Sequence, residues 1–550
     1  MAPRVSRPTD KIVLRAGLNI GQLAAEDDDD FLKDSFVHPS ILAQLLSLKD
    51  PASVILGRTG SGKTAILKHI QIEEENVYEI APKDVSLNYI ANSTVIRFFH
   101  NLGVDLDLFY QLLWRHVIAV ELIRRRHKID SEAENTSFLS RLADWVLKSE
   151  QHRAAVDYLR NWQSKFWITW DERIKEIATK FEGQLETAAE SAVPGINLKA
   201  GGKITLTDEQ KSQLTQRAQA VVNEVQVADL ARVIELLSES AFGDKQSRFF
   251  LLIDNLDEKW VDESIRFKLI RALIETLPVF RRIPALKIVV ALRADILERV
   301  YAETRDLGFQ LDKYEGRMAR LSWSKENLKT IVDRRIQSLF KRQYTKEDVT
   351  ISEIFPYKIG QTDPLEYIMD RTLMRPRDII AYVNECFRAA EGRSEIIAQI
   401  VRTAEQEYSR KRLNAILDEW QSVHPNLSVG VAFLANRSEV ITFDELTTKE
   451  VIEDIALKIS SSTQRSSDEI QKAAQSVFEN TSAANILHFA KQVVCILYKV
   501  GLIGIKLDNN RPFQYCYTSA PIIMEHQISG DCRLRIHPMF WRALNTKVGT

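Results

Sequence analysis

The spacing of apolar residues changes several times along the chain, and each change marks an element. A short apolar run, SVIL at 53–56, leads into a glycine-rich loop, and AILKHI behind the loop has helical spacing. A second short strand is expected at Val77–Ile80, closed by Pro82. Over 91–245 the spacing is mainly helical, in VIRFFHNLG, LFYQLLWRHVIAVELIRRR, SFLSRLADWVLKS and VADLARVIELLSES, with a small hairpin expected at Gly201-Gly202 in GINLKAGGKITL. Two near-continuous apolar runs follow, FFLLID at 249–254 and KIVVAL at 287–292. Parallel strands covered on both faces require that character. Helical spacing resumes to about residue 420. Beyond Asn426, helices are expected near 447–459, 467–479 and 483–500. A strand in GLIGIKL, a turn at Asp508-Asn509-Asn510 and a second strand in FQYCYTS come next. Three helices followed by a hairpin is the order of a winged helix.

The expected fold class is therefore α/β: a three-layer core around a parallel sheet, with a large helical insertion, a helical lid and a C-terminal winged helix. The boundaries are an arm at 1–50, the core at 51–90 and 246–310, the insertion at 91–245, the lid at 311–425 and the winged-helix region at 426–550. At 550 residues the chain has room for more than one buried core. The acidic run Asp27–Asp30 reads as solvated charge, because adjacent aspartates do not converge on one ion.

Charge and cysteine usage narrow the function classes. A formal net charge of −1 gives no global field toward nucleic acid or anionic lipid, so any such binding needs a local patch. Cys386, Cys495, Cys516 and Cys532 are widely spaced and fit a reducing compartment rather than a disulfide framework. No apolar run approaches the roughly 20 residues of a membrane span, and no apolar stretch follows the early arginines as in a secretory signal. A cytoplasmic protein without a membrane partner is expected.

The chemistry concentrates in Gly57-Arg58-Thr59-Gly60-Ser61-Gly62-Lys63-Thr64, which satisfies GxxxxGK[ST] in a strand–loop–helix setting. Glycines let backbone N–H groups surround phosphates. Lys63 is then placed for the β- and γ-phosphate oxygens and the Thr64 hydroxyl for Mg²⁺. The expected cofactors are ATP, or less readily GTP, and magnesium, with Thr64 and Asp254 as the metal-holding residues. After Asp254 the chain reads Asn255-Leu256-Asp257-Glu258, and either acid could orient or deprotonate an attacking water. The alternative is that both begin the next helix, where acids favour the dipole. Arg293 ends the following strand, placed to sense a γ-phosphate or, alternatively, to pair with Asp295 or Glu298. Arg375 and Arg377 flank Pro376 at the start of IIAYVNECF. They are candidates to reach the nucleotide from the lid, or to pair with Asp378.

This set resembles the STAND branch of AAA+-related ATPases: Asp254 to Glu258 is similar to their D-x-h-D-E Walker B signature, and Arg293 to their first sensor position. More closely, the chain resembles a group of bacterial P-loop ATPases with GRxGxGKTA, LRxDI, RPRD and a C-terminal IHPMF-like strand. The resemblance implies a slowly hydrolysing ATP switch that controls a protein effector or its own assembly, in bacterial defence or DNA repair. The chain departs from it in carrying Arg375-Pro376-Arg377 where a Gly-x-Pro lid motif is usual. Arg281 and Arg282 are arginine-finger candidates by position alone.

A DNA-binding ATPase of the replication-initiator or loader type is the rival reading. It rests on Lys491, Lys499, Lys506, Arg511, Arg533, Arg535 and Arg542, with His488 on a helix that could enter a groove. The cluster Arg124-Arg125-Arg126-His127-Lys128 is a second basic patch, more in keeping with a helix end. The tryptophans at 162, 167 and 170 are read as packed core rather than base-stacking platforms.

Overall fold

The computed structural model describes residues 13–80, 106–127, 247–304 (except 259 and 262), 312–344, 349–461 (except 422), 469–518 (except 481) and 522–549, with a few positions between 209 and 238. The expected hairpin at Gly201-Gly202, SFLSRLADWVLKS, the three tryptophans and Pro82 lie outside the described residues. The chain forms two compact units. One comprises 38–58 and 63–321, the other 1–37, 59–62 and 322–550.

Among the described residues of the first unit, five strands form one sheet. They are β1 (Val54–Gly57), β2 (Val77–Ile80), β3 (Phe249–Ile253), β4 (Leu286–Arg293) and β5 (Met318–Arg320), in the order β2-β3-β4-β1-β5. All four pairings are parallel. Every residue of β1 and β3 is buried, as is all of β4 except Arg293, which accounts for their uninterrupted apolar runs. The helix Asp107–His127 packs against Glu263–Phe280, and Trp114 Nε1 donates to the Leu269 carbonyl at 2.9 Å. With Phe109, Leu113 and Val117 buried, this part of the 91–245 region is integral to the core of the sheet unit. Lys287 is buried and donates to the carbonyls of Gln44, Ser47 and Asp50, which pins the segment before β1.

The second unit is held by one continuous apolar cluster from Leu14 to Leu544. Its helices include Lys325–Tyr344, Pro376–Ala389, Ala398–Trp420 and Leu427–Leu434. A three-stranded antiparallel sheet follows, β6 (Val440–Thr442), β7 (Ile503–Lys506) and β8 (Arg533–Ile536), in the order β6-β8-β7. The helices Phe443–Thr447, Lys449–Ser460, Glu469–Glu479 and Ala483–Val500 lie between β6 and β7 in the chain. Among the described residues no helix is long and apolar enough to cross a membrane.

Two expectations are corrected. FQYCYTS does not form the second strand of a hairpin. Pro512 cannot donate, only Gln514 bridges to Ile505, and the chain turns at Tyr515–Thr518 with Thr518 N donating to the Tyr515 carbonyl at 3.1 Å. The partner of β7 is instead β8, whose Leu534 and Ile536 alternate inward. Nor is Asp27–Asp30 a uniformly solvated run. Asp28 is 4% exposed, accepts from Gln22 N at 2.7 Å and pairs with buried Arg335 at 2.6 Å, tying the N-terminal segment to the helix Lys325–Tyr344.

Candidate functional site

Parallel strands end on the same edge of a sheet, and in the sheet unit that edge collects most of the residues singled out from sequence. Gly57 ends β1 and lies in register with Arg293 at the end of β4; Asp254 immediately follows β3. Lys63 and Thr64 open the helix Lys63–Glu73. Although β4 separates β1 from β3, the Thr64 hydroxyl donates to Asp254 Oδ2 at 2.9 Å. The other oxygen of Asp254 accepts from Asn255 N at 2.8 Å. Asn255 has a φ of 59°, a left-handed conformation that asparagine tolerates better than most residues. Burial raises the Asp254 pKa, opposed by the Asn255 N–H, the Thr64 hydroxyl and Lys63.

Lys63 Nζ donates to the carbonyls of Gly57 and Arg58 at 3.2 and 3.3 Å. Burial lowers its pKa, while Asp257 and Asp254 act the other way. Arg293 makes a two-bond fork to Asp295, at 3.0 and 2.7 Å, and reaches Asp257 Oδ2 at 3.4 Å. Of the two alternatives for Arg293, the structure shows the pairing with Asp295, which also presents the guanidinium to Asp257. Asp257 and Glu258 do not begin a helix; the next one starts at Glu263. The Glu258 side chain is exposed, and its backbone carbonyl accepts from Arg266 at 3.0 Å.

The middle of the glycine-rich loop belongs to the second unit. Gly60 has a φ of 75°, and a Cβ there would lie 2.8 Å from Arg377 Cβ and Cδ, so both backbone and space demand glycine. Arg377 N donates to the Gly60 carbonyl at 3.3 Å and its Nε to the Leu23 carbonyl at 3.0 Å. Arg375 is buried; it bonds Asp378 through Nε and Nη2, and its Nη1 donates to the Thr59 carbonyl at 2.8 Å and to Glu419 at 3.2 Å. Burial disfavours the Arg375 charge, but Asp378 and Glu419 more than offset it and hold its pKa above the ordinary value. Arg377 has its pKa lowered, first by burial and then by Arg375 and Arg412. Sequence reading missed Glu419 and Trp323, whose indole donates to the Ser61 carbonyl at 2.7 Å. No motif marks either; contact with the loop alone identifies them.

The residues fit a phosphate ligand with a hard cation. The Thr59 and Ser61 hydroxyls are buried without a hydrogen-bond partner among the described residues, a costly state that a phosphate oxygen would relieve. Among the described residues no group of three or more His, Cys, Asp or Glu side chains is placed to hold a metal. Magnesium does not need one, since one or two protein oxygens plus phosphates and water suffice. Of the finger candidates, Arg281 donates to the Lys49 carbonyl at 3.4 Å. In the C-terminal basic region Arg511 pairs with Asp508, His488 with Glu525, Arg535 with Glu439 and Arg542 with Glu405. Lys491, Lys506 and Arg533 have no acidic partner among the described residues.

Fold and site thus define a mixed α/β protein whose parallel sheet gathers a glycine-rich loop, buried carboxylates and an arginine at one edge. The chain is 21% identical over 540 residues, 96% of its length, to the putative transposon gamma-delta 80.3 kDa protein of Escherichia coli (strain K12), and spans 66% of that relative. Over 117 residues, 21% of the chain, it is 27% identical to allergen Alt a 2 of Alternaria alternata, spanning 62% of that protein. Residues 326–417 match the FunZ-associated C-terminal helical domain.

Proposed function

We propose that this protein is a P-loop ATPase of the STAND/AAA+-like grade, binding Mg-ATP on Gly57–Thr64 and using slow hydrolysis as a switch on a partner. The observation that carries the reading is the Thr64–Asp254 contact at 2.9 Å, which joins a loop hydroxyl to a strand-end carboxylate 190 residues away. That is the donor pair such a site uses for magnesium. The bound nucleotide would supply the phosphoanhydride to be broken. Lys63 would leave its two loop carbonyls to neutralise phosphate charge. Arg293, fixed by Asp295, would orient Asp257, and Asp257 or Glu258 would align water. Arg375 would hold the Thr59 carbonyl and so couple the loop to the helix carrying Glu419.

The effector would be a second protein or a further copy of this chain. The resemblance places such switches in bacterial defence or DNA repair, and the E. coli relative's name points to mobile elements. The second reading, a DNA-acting ATPase of the replication-initiator or loader type, draws on Lys491, Lys506 and Arg533, which have no acidic partner among the described residues. ATP hydrolysis by the purified chain, with and without duplex DNA and with Lys63→Ala as blank, decides between them. Slow turnover indifferent to DNA supports the switch. Stimulation that fades with salt supports the DNA reading. Turnover equal to that of Lys63→Ala defeats both.

A further inference from the structure

Away from the glycine-rich loop, the second unit carries an open cavity of about 510 Å³ between its helical part and its C-terminal sheet. Tyr367, Tyr515, Tyr517 and Trp541 line it together with Arg371 and Arg535. The aromatic rings and guanidinium groups are already arranged for stacking. Arg371 lies 3.5 Å from the Tyr367 ring centroid and 5.7 Å from that of Trp541, and Arg535 lies 5.5 Å from Trp541. The Arg535 Nε is buried and has no hydrogen-bond acceptor among the described residues. His537 Nδ1 accepts from Met539 N at 3.1 Å, so its Nε2 carries the proton given to the Tyr517 oxygen at 2.5 Å, which fixes the Tyr517 ring on the cavity wall. Arg371 pairs with Glu405 and Arg535 with Glu439, and Asp370 lines the cavity beside Lys325; planar π-faces with two guanidinium groups still match a ligand with a flat ring and acceptor oxygens, as in a nucleobase carrying a phosphate.

The cavity's wall also leads to the loop. Thr372 and Met374 line it, and Arg375, the next residue, donates to the Thr59 carbonyl. Met374 has a φ of 54°, a left-handed conformation that costs a long side chain on the order of 1–2 kcal/mol. It is held there by Met374 N donating to Thr372 Oγ1 at 3.2 Å and by Leu373 N donating to Asp378 at 3.2 Å. Strain of this kind persists where surroundings impose it, and it clusters at ligand clamps and switch segments.

We propose that this cavity is an effector site for a base-plus-phosphate ligand, read out at Thr59 through the segment 372–375. Its existence is independent of the ATPase reading; only the readout rests on it. Two sources share the ligand chemistry, a free nucleotide and the end of a nucleic-acid strand. The test is equilibrium binding of AMP, GMP, CMP and UMP, and of a 5′-phosphorylated dodecadeoxyadenylate, to the full chain. The variants are Lys63→Ala, Arg535→Gln and Thr518→Trp, the last at an exposed lining position where an indole would fill the space. Expected are one site retained in Lys63→Ala, weakened about tenfold or more in Arg535→Gln as for a charged hydrogen bond, and lost in Thr518→Trp with an unchanged circular dichroism spectrum. Mononucleotide binding alone assigns a free nucleotide, and strand binding a strand end. No binding by any probe, or binding indifferent to both cavity variants, overturns the site. ATP affinity that the bound probe leaves unchanged in the wild type overturns the readout alone, and absence of ATP binding in the wild type refutes the ATPase reading while leaving the site intact.

Discussion

At the scale of single residues, the site is a set of committed charges. Arg293 is divided between Asp295 and Asp257, so Arg293→Ala should free Asp257 to move and lower turnover by about 10²-fold or more while ATP binding persists; single-turnover and filter-binding assays separate the two. Asp257→Asn and Glu258→Gln should together abolish turnover and preserve binding; unchanged turnover would remove both from the mechanism. Gly60→Ala meets both a positive φ and the Arg377 side chain, so it should weaken ATP binding and destabilise by at least 1 kcal/mol, read by calorimetry and denaturant titration. The pattern GxxxxGK[ST] leaves position 60 open, and only the resemblance to GRxGxGKTA sequences sets a glycine there. That Arg377 is the neighbour enforcing it was not legible, because the two are more than 300 residues apart.

At the scale of elements, buried ions act as fasteners. Asp28–Arg335 joins the N-terminal segment to the helix Lys325–Tyr344, and Asp28→Asn should lower stability by about 3–5 kcal/mol in urea titration, the cost of stranding a buried partner. Lys287 fastens 44–50 to β4, with burial pushing its ammonium down to about 8. The unfolded chain keeps that proton up to about 10.5. Between those values the unfolded state binds more protons, so this group makes stability rise with pH. Lys287→Met should flatten that rise in a series of denaturation midpoints from pH 8 to 10.5. The periodicity revealed the buried strand around Lys287, but not the three carbonyls that make a lysine tolerable within it.

For the molecule as a whole, two apolar clusters define two units, and the glycine-rich loop is divided between them: Gly57, Arg58, Lys63 and Thr64 belong with the sheet, Thr59–Gly62 with the C-terminal unit. A ligand that binds the folded loop and not the unfolded chain adds to stability. Saturating Mg-ATP should therefore raise the melting temperature of the intact chain, by an amount set by its concentration over Kd. In Lys63→Ala that shift should vanish. Arg375→Ala should lower the starting melting temperature, since it removes the buried ion pairs that Arg375 makes with Asp378 and Glu419.

The sequence by itself determined what is local: the buried strands, whose apolar runs admit no solvated face, the loop pattern with its lysine and threonine, and the long helices with their periodic faces. Short-range chemistry and burial period suffice for these, and each is visible within a window of about ten residues. Tertiary structure alone decided which distant groups meet. It brought Thr64 to Asp254 across an intervening strand, Arg375 to Thr59, and Asp28 to Arg335 inside what reads as an exposed acidic run. It also gave β7 its partner at Arg533–Ile536 in place of the nearer FQYCYTS. Pairing over such separations depends on how whole faces are buried and on which backbone donors remain available, and neither quantity is written in any short stretch of the chain.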